Sequence, residues 1–200
     1  MLKILIYLKF LTYVNQAACD SECRFVYINC KSPGGTNDAA AYKRSSLPQL
    51  VEALPRTRYV VGDNAYTPTE HVLVPFSGSE KDDHDKDCYN FYLSQMRIRI
   101  EMAFGRLVSK WRVLKSPLNV ALKNATRMIY CCTILHNFCI NEGDIVPDPQ
   151  LGDPRELPSE YYVSRGRSIR GQSHMRQYVL DKVNEHGLSR PFHNVQRNDA

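Results

Sequence analysis

Two carboxylates are the residues of this 200-residue chain whose type and position best suit catalysis. Asp63 follows the apolar run 58–61, and Glu101 lies in a basic segment 38 positions later. A carboxylate at a strand end and another on a facing helix suit Mg²⁺, which prefers oxygen ligands and keeps several waters. Two such ions activate a water or a 3′-hydroxyl and stabilise the leaving oxygen in phosphoryl transfer. The pair therefore indicates phosphodiester chemistry.

Each carboxylate also has a purely structural interpretation. Asp63 is followed by Asn64, and the two residues together are typical of a turn that the aspartate caps. Glu101 stands four residues after Arg97, so on a helix the two would form a surface ion pair that contributes little stability. Spacing alone leaves both interpretations open.

Positive charge is concentrated around Glu101, in a chain whose net charge is +5. Lysine and arginine side chains neutralise the phosphates of nucleic acids and position a protein on them without reading the base sequence. The mildly basic balance permits a nucleic-acid partner without requiring one. The candidate phosphate contacts are Arg97, Arg99, Arg106, Lys110 and Arg112.

Two further groups of residues have spacing that is typical of metal ligands. Cys132, His136 and Cys139 would lie on one face of a helix, as zinc ligands can, or they would pack in the apolar stripe of that helix. The acidic segment 77–87 invites a calcium interpretation. The spacing of an EF-hand loop fails there, so we expect a solvated loop.

The periodicity of apolar residues predicts the elements that must position these side chains. Residues 12–19 and 23–30 predict an antiparallel hairpin, and 58–61 predict a short strand. Helices are predicted from Ala39 onward, after an N-cap region at 36–38, and over 47–54, 91–114 and 121–140. This order indicates an α/β fold. The polar segment 142–200 predicts a mostly disordered tail with a short helix near 175–183.

The N-terminus superficially resembles a secretory signal, because an apolar run and small residues precede Cys19. Lys9 interrupts the run, and the uninterrupted stretches are too short to span a membrane. The cysteine count is seven, an odd number, which also weakens a secreted interpretation. A small secreted cysteine-containing protein is therefore the less favoured alternative to a buried strand over 12–19.

Several segments resemble those of the PIF/Harbinger-type DDE transposases, the DDE superfamily endonucleases that include Harbinger-derived nucleases. The set is specific because its members occur in family order and cover about residues 12–140. The matching segments are 15–20 (NQAACD), 33–38 (PGGTND), 61–66 (VGDNAY), 89–94 (YNFYLS), Arg97, 100–105 (IEMAFG), 110–112 (KWR) and 134–138 (ILHNF).

The resemblance implies an RNase H-like mixed sheet flanked by helices, with three acidic residues that bind catalytic Mg²⁺ or Mn²⁺. Asp63 matches the second acid and Glu101 the third, while Asp38 matches a recurrent aspartate in a supporting role. The family's first acid lies on a strand upstream of the hairpin, and residues 1–11 contain no acid. We therefore expect a fold without the first strand.

The expected organisation has three parts. Residues 1–11 form an atypical N-terminus that replaces an upstream part of the domain, 12–141 form a partial DDE endonuclease domain, and 142–200 form the polar tail. The resemblance implies metal-dependent DNA strand cleavage and transfer, weak or inactive here because one ligand is absent. The alternative is a non-catalytic DNA- or protein-binding transposon remnant. The implied partners are DNA and a Myb-like DNA-binding protein, in the nucleus and without membrane association.

Overall fold

The computed structural model describes residues 4–10, 13–33, 38–78, 83–116, 118–144 and 173–191. It has the mixed α/β composition that the sequence predicts. The strands are β1 (Ile4–Phe10), β2 (Tyr13–Cys19), β3 (Phe25–Pro33), β4 (Val60–Val61) and β5 (Val72–Leu73). The helices are α1 (Asp38–Arg44), α2 (Leu47–Glu52), α3 (His84–Lys110), a 3-10 helix (Arg112–Lys115), α4 (Leu122–Asn141) and α5 (His174–Glu185).

The predicted hairpin is present as β2 and β3, which pair in antiparallel register from Tyr13 opposite Pro33 to Cys19 opposite Phe25. Asp20 forms the turn between them, because its Oδ1 accepts the backbone N–H groups of Glu22 and Arg24 at 2.9 Å each. Local side-chain acceptors of this kind replace the ladder hydrogen bonds that a tight turn loses.

A strand precedes the hairpin, where the sequence predicted that the first strand would be missing. β1 pairs with β2 along its whole length, from Ile4 opposite Cys19 to Phe10 opposite Tyr13, so the sheet has the order β1-β2-β3. The expectation for 1–11 is not confirmed in this respect. Its apolar run of isoleucine, leucine, tyrosine and phenylalanine has high β propensity, and a single lysine does not prevent pairing.

The strand before Asp63 is short and fully buried. β4 and β5 are parallel, with Val60 opposite Val72, and β4 also contacts β1. Immediately after β4, the Tyr66 ring lies so close to Gly62 that a Cβ at position 62 would be 3.0 Å from its Cδ2. Glycine at this position therefore lets the chain turn tightly against Tyr66 on its way to Asp63.

Helix α3 begins seven residues before the predicted start at 91. Asp83 caps it by accepting the N–H groups of Asp85 and Lys86, and two aspartates in the first turn favour the positive end of the helix dipole. Part of the predicted acidic loop is therefore helical, while 79–82 lie outside the described residues. The buried positions include Ile100, Phe104 and Leu107, as the apolar stripe predicted.

The C-terminal region contributes a helix to the fold. α5 includes the predicted segment 175–183 and packs against α3. The Glu70 carboxylate accepts the N–H groups of His174 and Met175 at the start of α5, and the buried guanidinium of Arg176 lies 3.5 Å from the centre of the Phe76 ring. The segment 173–191 is thus not a free tail, because Glu70 caps α5 and the helix packs against α3. The rest of the predicted tail lies outside the described residues.

Helix α1 begins at Asp38, one residue before the predicted start at Ala39, and 36–37 of the predicted N-cap region 36–38 lie outside the described part of the chain. α2 and α4 match the predicted helices at 47–54 and 121–140 to within two residues at each end. None of the helices that the structure describes is long and apolar enough to cross a membrane.

Candidate functional site on helix α3

Helix α3 packs against both the end of β4 and the three-stranded sheet. Val61 packs in one apolar cluster with Leu93 of α3, while Ile100 packs in a second cluster with residues of β2 and β3. Met96 contacts both clusters. Glu101 lies five residues after Met96, which is about 7.5 Å along the helix axis. Both candidate carboxylates are therefore positioned by α3. Glu101 is a residue of this helix, and Asp63 follows two residues after Val61, which packs against the helix.

Asp63 is half-buried and forms a turn with the residues that follow it. Its Oδ1 accepts the N–H of Ala65 at 2.9 Å, and its carbonyl oxygen accepts the N–H of Tyr66 at 3.2 Å. The turn-capping interpretation is therefore correct. It uses one carboxylate oxygen and leaves Oδ2 without a partner among the described residues, so capping and ligand binding are compatible.

Asn64, next to Asp63, is only 8% exposed, and neither its Oδ1 nor its Nδ2 has a hydrogen-bond partner among the residues that the structure describes. A buried amide without a partner costs about 1–3 kcal/mol. Native structures contain few such groups, and a bound water or ligand is one explanation for them. A water molecule or another small polar molecule bound to this amide would remove that cost.

Glu101 is half-buried on α3. Burial raises the pKa of its carboxyl above the usual range, and the positive charge of Arg97 partly opposes this. The two side chains do not form an ion pair within 4 Å in the described structure, so the predicted surface pair is absent. A carboxylate whose pKa is raised lacks full compensation for its charge, and an added cation would stabilise it.

The basic residues of α3 lie on two flanks of its buried stripe. With about 100° per residue, Arg97 shares one flank with Glu101, whereas Arg99, Arg106 and Lys110 share the other. Electrostatic effects agree with this division: Arg99 and Arg106 both lower the pKa of the Cys23 thiol, which burial raises, and only Arg97 opposes the raised pKa of Glu101.

The candidate phosphate contacts differ in their present partners. Arg97 and Arg106 each have a buried Nε without a hydrogen-bond partner in the described part of the chain, while Arg99 and Arg112 are exposed. Lys110 donates to the carboxylate and the carbonyl oxygen of Asp144, and this contact raises the pKa of the lysine. Lys110 would have to leave Asp144 to bind a phosphate.

The proposed zinc group has a structural role instead. His136 is buried, and its Nε2 lies 2.9 Å from the carbonyl oxygen of Cys23, to which it donates as a neutral ring. Burial lowers the pKa of this imidazole and so favours that neutral form. Cys132 is buried in the apolar cluster, as the packing alternative predicted.

Two asparagine side chains that the spacing analysis did not single out bind the helices to a strand and to the segment that follows β5. Asn137 pairs with the backbone of Phe25, and Asn90 pairs with the backbone of Phe76, accepting its N–H at 2.7 Å and donating to its C=O at 3.0 Å. Both asparagines lie within segments that resemble the family, 89–94 and 134–138. The resemblance therefore included these residues but did not indicate their structural role.

The described residues fit the implied three-acid magnesium site incompletely. They contain no group of three or more His, Cys, Asp or Glu side chains that could hold a metal ion together. Asp63 and Glu101 supply two carboxylates, and Asn64 supplies a buried amide at the position after Asp63. Only the backbone of Asp38 is described, at the start of α1, and its supporting role stays a prediction.

Comparisons with known proteins place this geometry in a family. The family model for the DDE superfamily endonuclease matches residues 6–137. The chain is 29% identical over 150 residues to "Protein ALP1-like" of Arabidopsis thaliana, covering 68% of this chain and 37% of that protein. It is 26% identical over 166 residues to "Putative nuclease HARBI1" of Homo sapiens, covering 76% and 47%. The chain thus spans half or less of the length of these relatives. No solved structure matches it significantly.

Proposed function

Since the chain belongs to the DDE superfamily endonuclease family, we propose that it is a DNA-binding endonuclease domain whose own strand cleavage is weak or absent. The observation that carries the proposal is the donor set: two carboxylates on the elements that family members use, with no third acidic ligand grouped beside them in the described chain. A site with fewer charged ligands binds a divalent cation more weakly. Phosphodiester cleavage would therefore be limited by the fraction of sites that hold a metal ion.

The topology supports an RNase H-like fold for this domain. Three antiparallel strands in the order β1-β2-β3 lie beside a parallel pair, with β4 in contact with β1. In such an arrangement β1 would be the strand on which the family carries its first acid. The register positions of β1, Ile4–Phe10, contain no aspartate or glutamate.

DNA binding would begin with the phosphate backbone. Arg97 is half-buried on the flank of α3 that carries Glu101, and Arg112 is exposed just beyond the helix. Guanidinium groups donate to phosphate oxygens in a geometry that lysine does not match. DNA would therefore approach α3 from the Arg97–Glu101 flank. A nuclear location and a Myb-like partner remain part of the proposal because they follow from the family resemblance.

A non-catalytic DNA-binding role is the second candidate. The division of basic residues favours it, because Arg99 and Arg106 lie on the flank away from Glu101 and would bind DNA without bringing it to the carboxylates. In that case binding would persist in EDTA and in Glu101→Gln, and would fall in the Arg99→Gln/Arg106→Gln double variant.

The test combines DNA binding with plasmid nicking in Mg²⁺ and in Mn²⁺. We expect binding that weakens steeply as salt increases, with little or no nicking. Arg97→Gln should reduce the salt slope by about 1, whereas Arg44→Gln, an exposed control on α1, should leave it unchanged.

Two outcomes would contradict the proposal. Efficient nicking that Asp63→Asn abolishes, and that the exposed control Glu52→Gln retains, would show an active enzyme. Failure of the folded chain to bind DNA at low salt would remove the DNA-binding function itself.

A further inference from the structure

Helix α4 exposes an apolar stripe along one face. Ile134 is 69% exposed, Phe138 59% and Leu135 42%, and Cys131 is exposed beside them. These positions follow the spacing i, i+3, i+4 and i+7, so they form one continuous face. The opposite face of α4, with Ala125, Ile129, Cys132 and His136, is buried against the domain.

The charges at the ends of this face have opposite signs. Lys123 and Arg127 are exposed near the start of α4, and Glu142 is exposed at its end. At 100° per residue Arg127 falls within the arc of Cys131, Ile134 and Phe138, and Lys123 and Glu142 lie about 20° beyond its two edges. None of the three forms an ion pair with another described residue.

An antiparallel copy of the same helix matches this pattern. A two-fold axis between positions 132 and 133 would place Cys131 opposite Ile134 of the second copy. It would also place Arg127 opposite Phe138, and Lys123 opposite Glu142. Cys131 and Ile134 would then cover each other next to the axis, the guanidinium of Arg127 would lie on the Phe138 ring, and each end would join opposite charges. A parallel copy would instead place Lys123 beside Lys123 and Glu142 beside Glu142, which is repulsive.

We propose that the exposed face of α4, formed by Cys131, Ile134, Leu135 and Phe138, is a self-association surface on which two copies of this chain pair antiparallel. A helix of 20 residues is about 30 Å long and supplies less than the roughly 800 Å² per partner of a standard interface. The dimer is accordingly weak and depends on concentration.

Sedimentation equilibrium of the full 200-residue chain tests the pairing. The expected result is a reversible dimer with a dissociation constant of roughly tens of micromolar or weaker. Phe138→Arg should abolish dimerisation, because it would place an arginine opposite Arg127 of the second copy at both ends of the contact. Leu50→Arg is the matched control, since Leu50 is a similarly exposed apolar residue on α2 (54%) and should leave the dimer unchanged.

Charge reversal tests the antiparallel register. Lys123→Glu and Glu142→Lys should each weaken the dimer by about fivefold, and the variant carrying both should recover it. Facing α-helices lie about 8–10 Å apart, so a short bis-maleimide should link the two Cys131 thiols in the wild type and not in Cys131→Ser.

The proposal is overturned by a chain that stays monomeric at the highest soluble concentration. It is equally overturned by a dimer that persists in Phe138→Arg, or by a double charge variant that does not recover association. Circular dichroism of each variant excludes unfolding as the cause. The substituted side chains are all exposed, so the fold should be retained.

Discussion

The side-chain amide of Asn137 pairs with both backbone groups of Phe25, accepting its N–H and donating to its C=O at 2.8 Å each. Phe25 begins β3, the strand at one edge of the three-stranded sheet. An edge strand carries backbone groups without a neighbouring strand to bind them. The amide of Asn137 takes the place of that neighbour and fixes α4 to the sheet.

Asn137→Ala should destabilise the fold. Removal of the amide leaves a donor and an acceptor of Phe25 without partners, which costs about 1–3 kcal/mol. Thermal unfolding should therefore shift downward by several degrees. Asn124→Ala, at an exposed position of the same helix, is the matched control and should have little effect. Equal shifts of the unfolding temperature in the two variants would contradict this role of the Asn137 amide.

Stability should decrease in mild acid because of His136. Burial lowers the pKa of this imidazole in the folded state, so the folded chain binds fewer protons than the unfolded one. The free energy of unfolding therefore rises with pH between the folded pKa and the unfolded value of about 6.5, and this contribution is complete above it. As pH falls below about 6.5, the contribution is progressively lost.

Denaturant unfolding between pH 5 and pH 8 measures that dependence. In His136→Gln, which retains a donor for the Cys23 carbonyl, the part of the slope due to the imidazole should disappear. An unchanged slope in this variant would mean that other groups cause the pH dependence. His186→Gln, at an exposed position after α5, is the matched control.

Glu101→Gln should stabilise the isolated domain slightly. Burial raises the pKa of the Glu101 carboxyl, so the folded state binds its proton more tightly than the unfolded state. The charged form that predominates near pH 7 is then destabilising, and a neutral amide removes that cost, by less than about 1 kcal/mol. Denaturant titration at pH 7 and pH 4 measures it, and the gain should vanish at the lower pH. A loss of stability at pH 7 would show that the charge has a partner.

Glu70→Ala should release α5 from the domain more often. The Glu70 carboxylate accepts the first N–H groups of α5, and loss of such a cap costs about 1 kcal/mol. Limited proteolysis should cut within 173–191 faster, with cleavage of α3 unchanged. Glu185→Ala, near the other end of α5, is the control. Equal cleavage rates would mean that packing alone holds the helix.

Local patterns predicted much of this fold. The hairpin, the core stripe of α3, and α4 follow from apolar periodicity, which depends only on neighbouring residues. The start of α3 was predicted too late, because the acids after Asp83 suit both a solvated loop and the first turn of a helix. β1 was not predicted, since an apolar N-terminal run suits a signal or a strand until a partner such as β2 is known.

The candidate site could be predicted only in part, for a related reason. Positions of Asp63 and Glu101 follow from the strand end and the helix, but the division of the arginines needs the direction of the buried stripe. Arg97 and Arg99 are two residues apart in sequence, yet they lie on opposite flanks of α3. The pairing of Asn137 with the backbone of Phe25 joins residues 112 positions apart, and no local sequence pattern predicts such a contact.

The contact between Gly62 and Tyr66 makes the turn at Asp63 intolerant of substitution. Tyr66 is nearly fully buried and meets the edge of the Tyr42 ring, so it has no space to retreat from a new methyl group at position 62. In a library in which every residue is replaced by alanine, Gly62→Ala should therefore mimic Asp63→Ala, although it removes no functional group. Position 62 would then score as essential although glycine has no side chain, because a substitution there changes the direction of the Asp63 side chain.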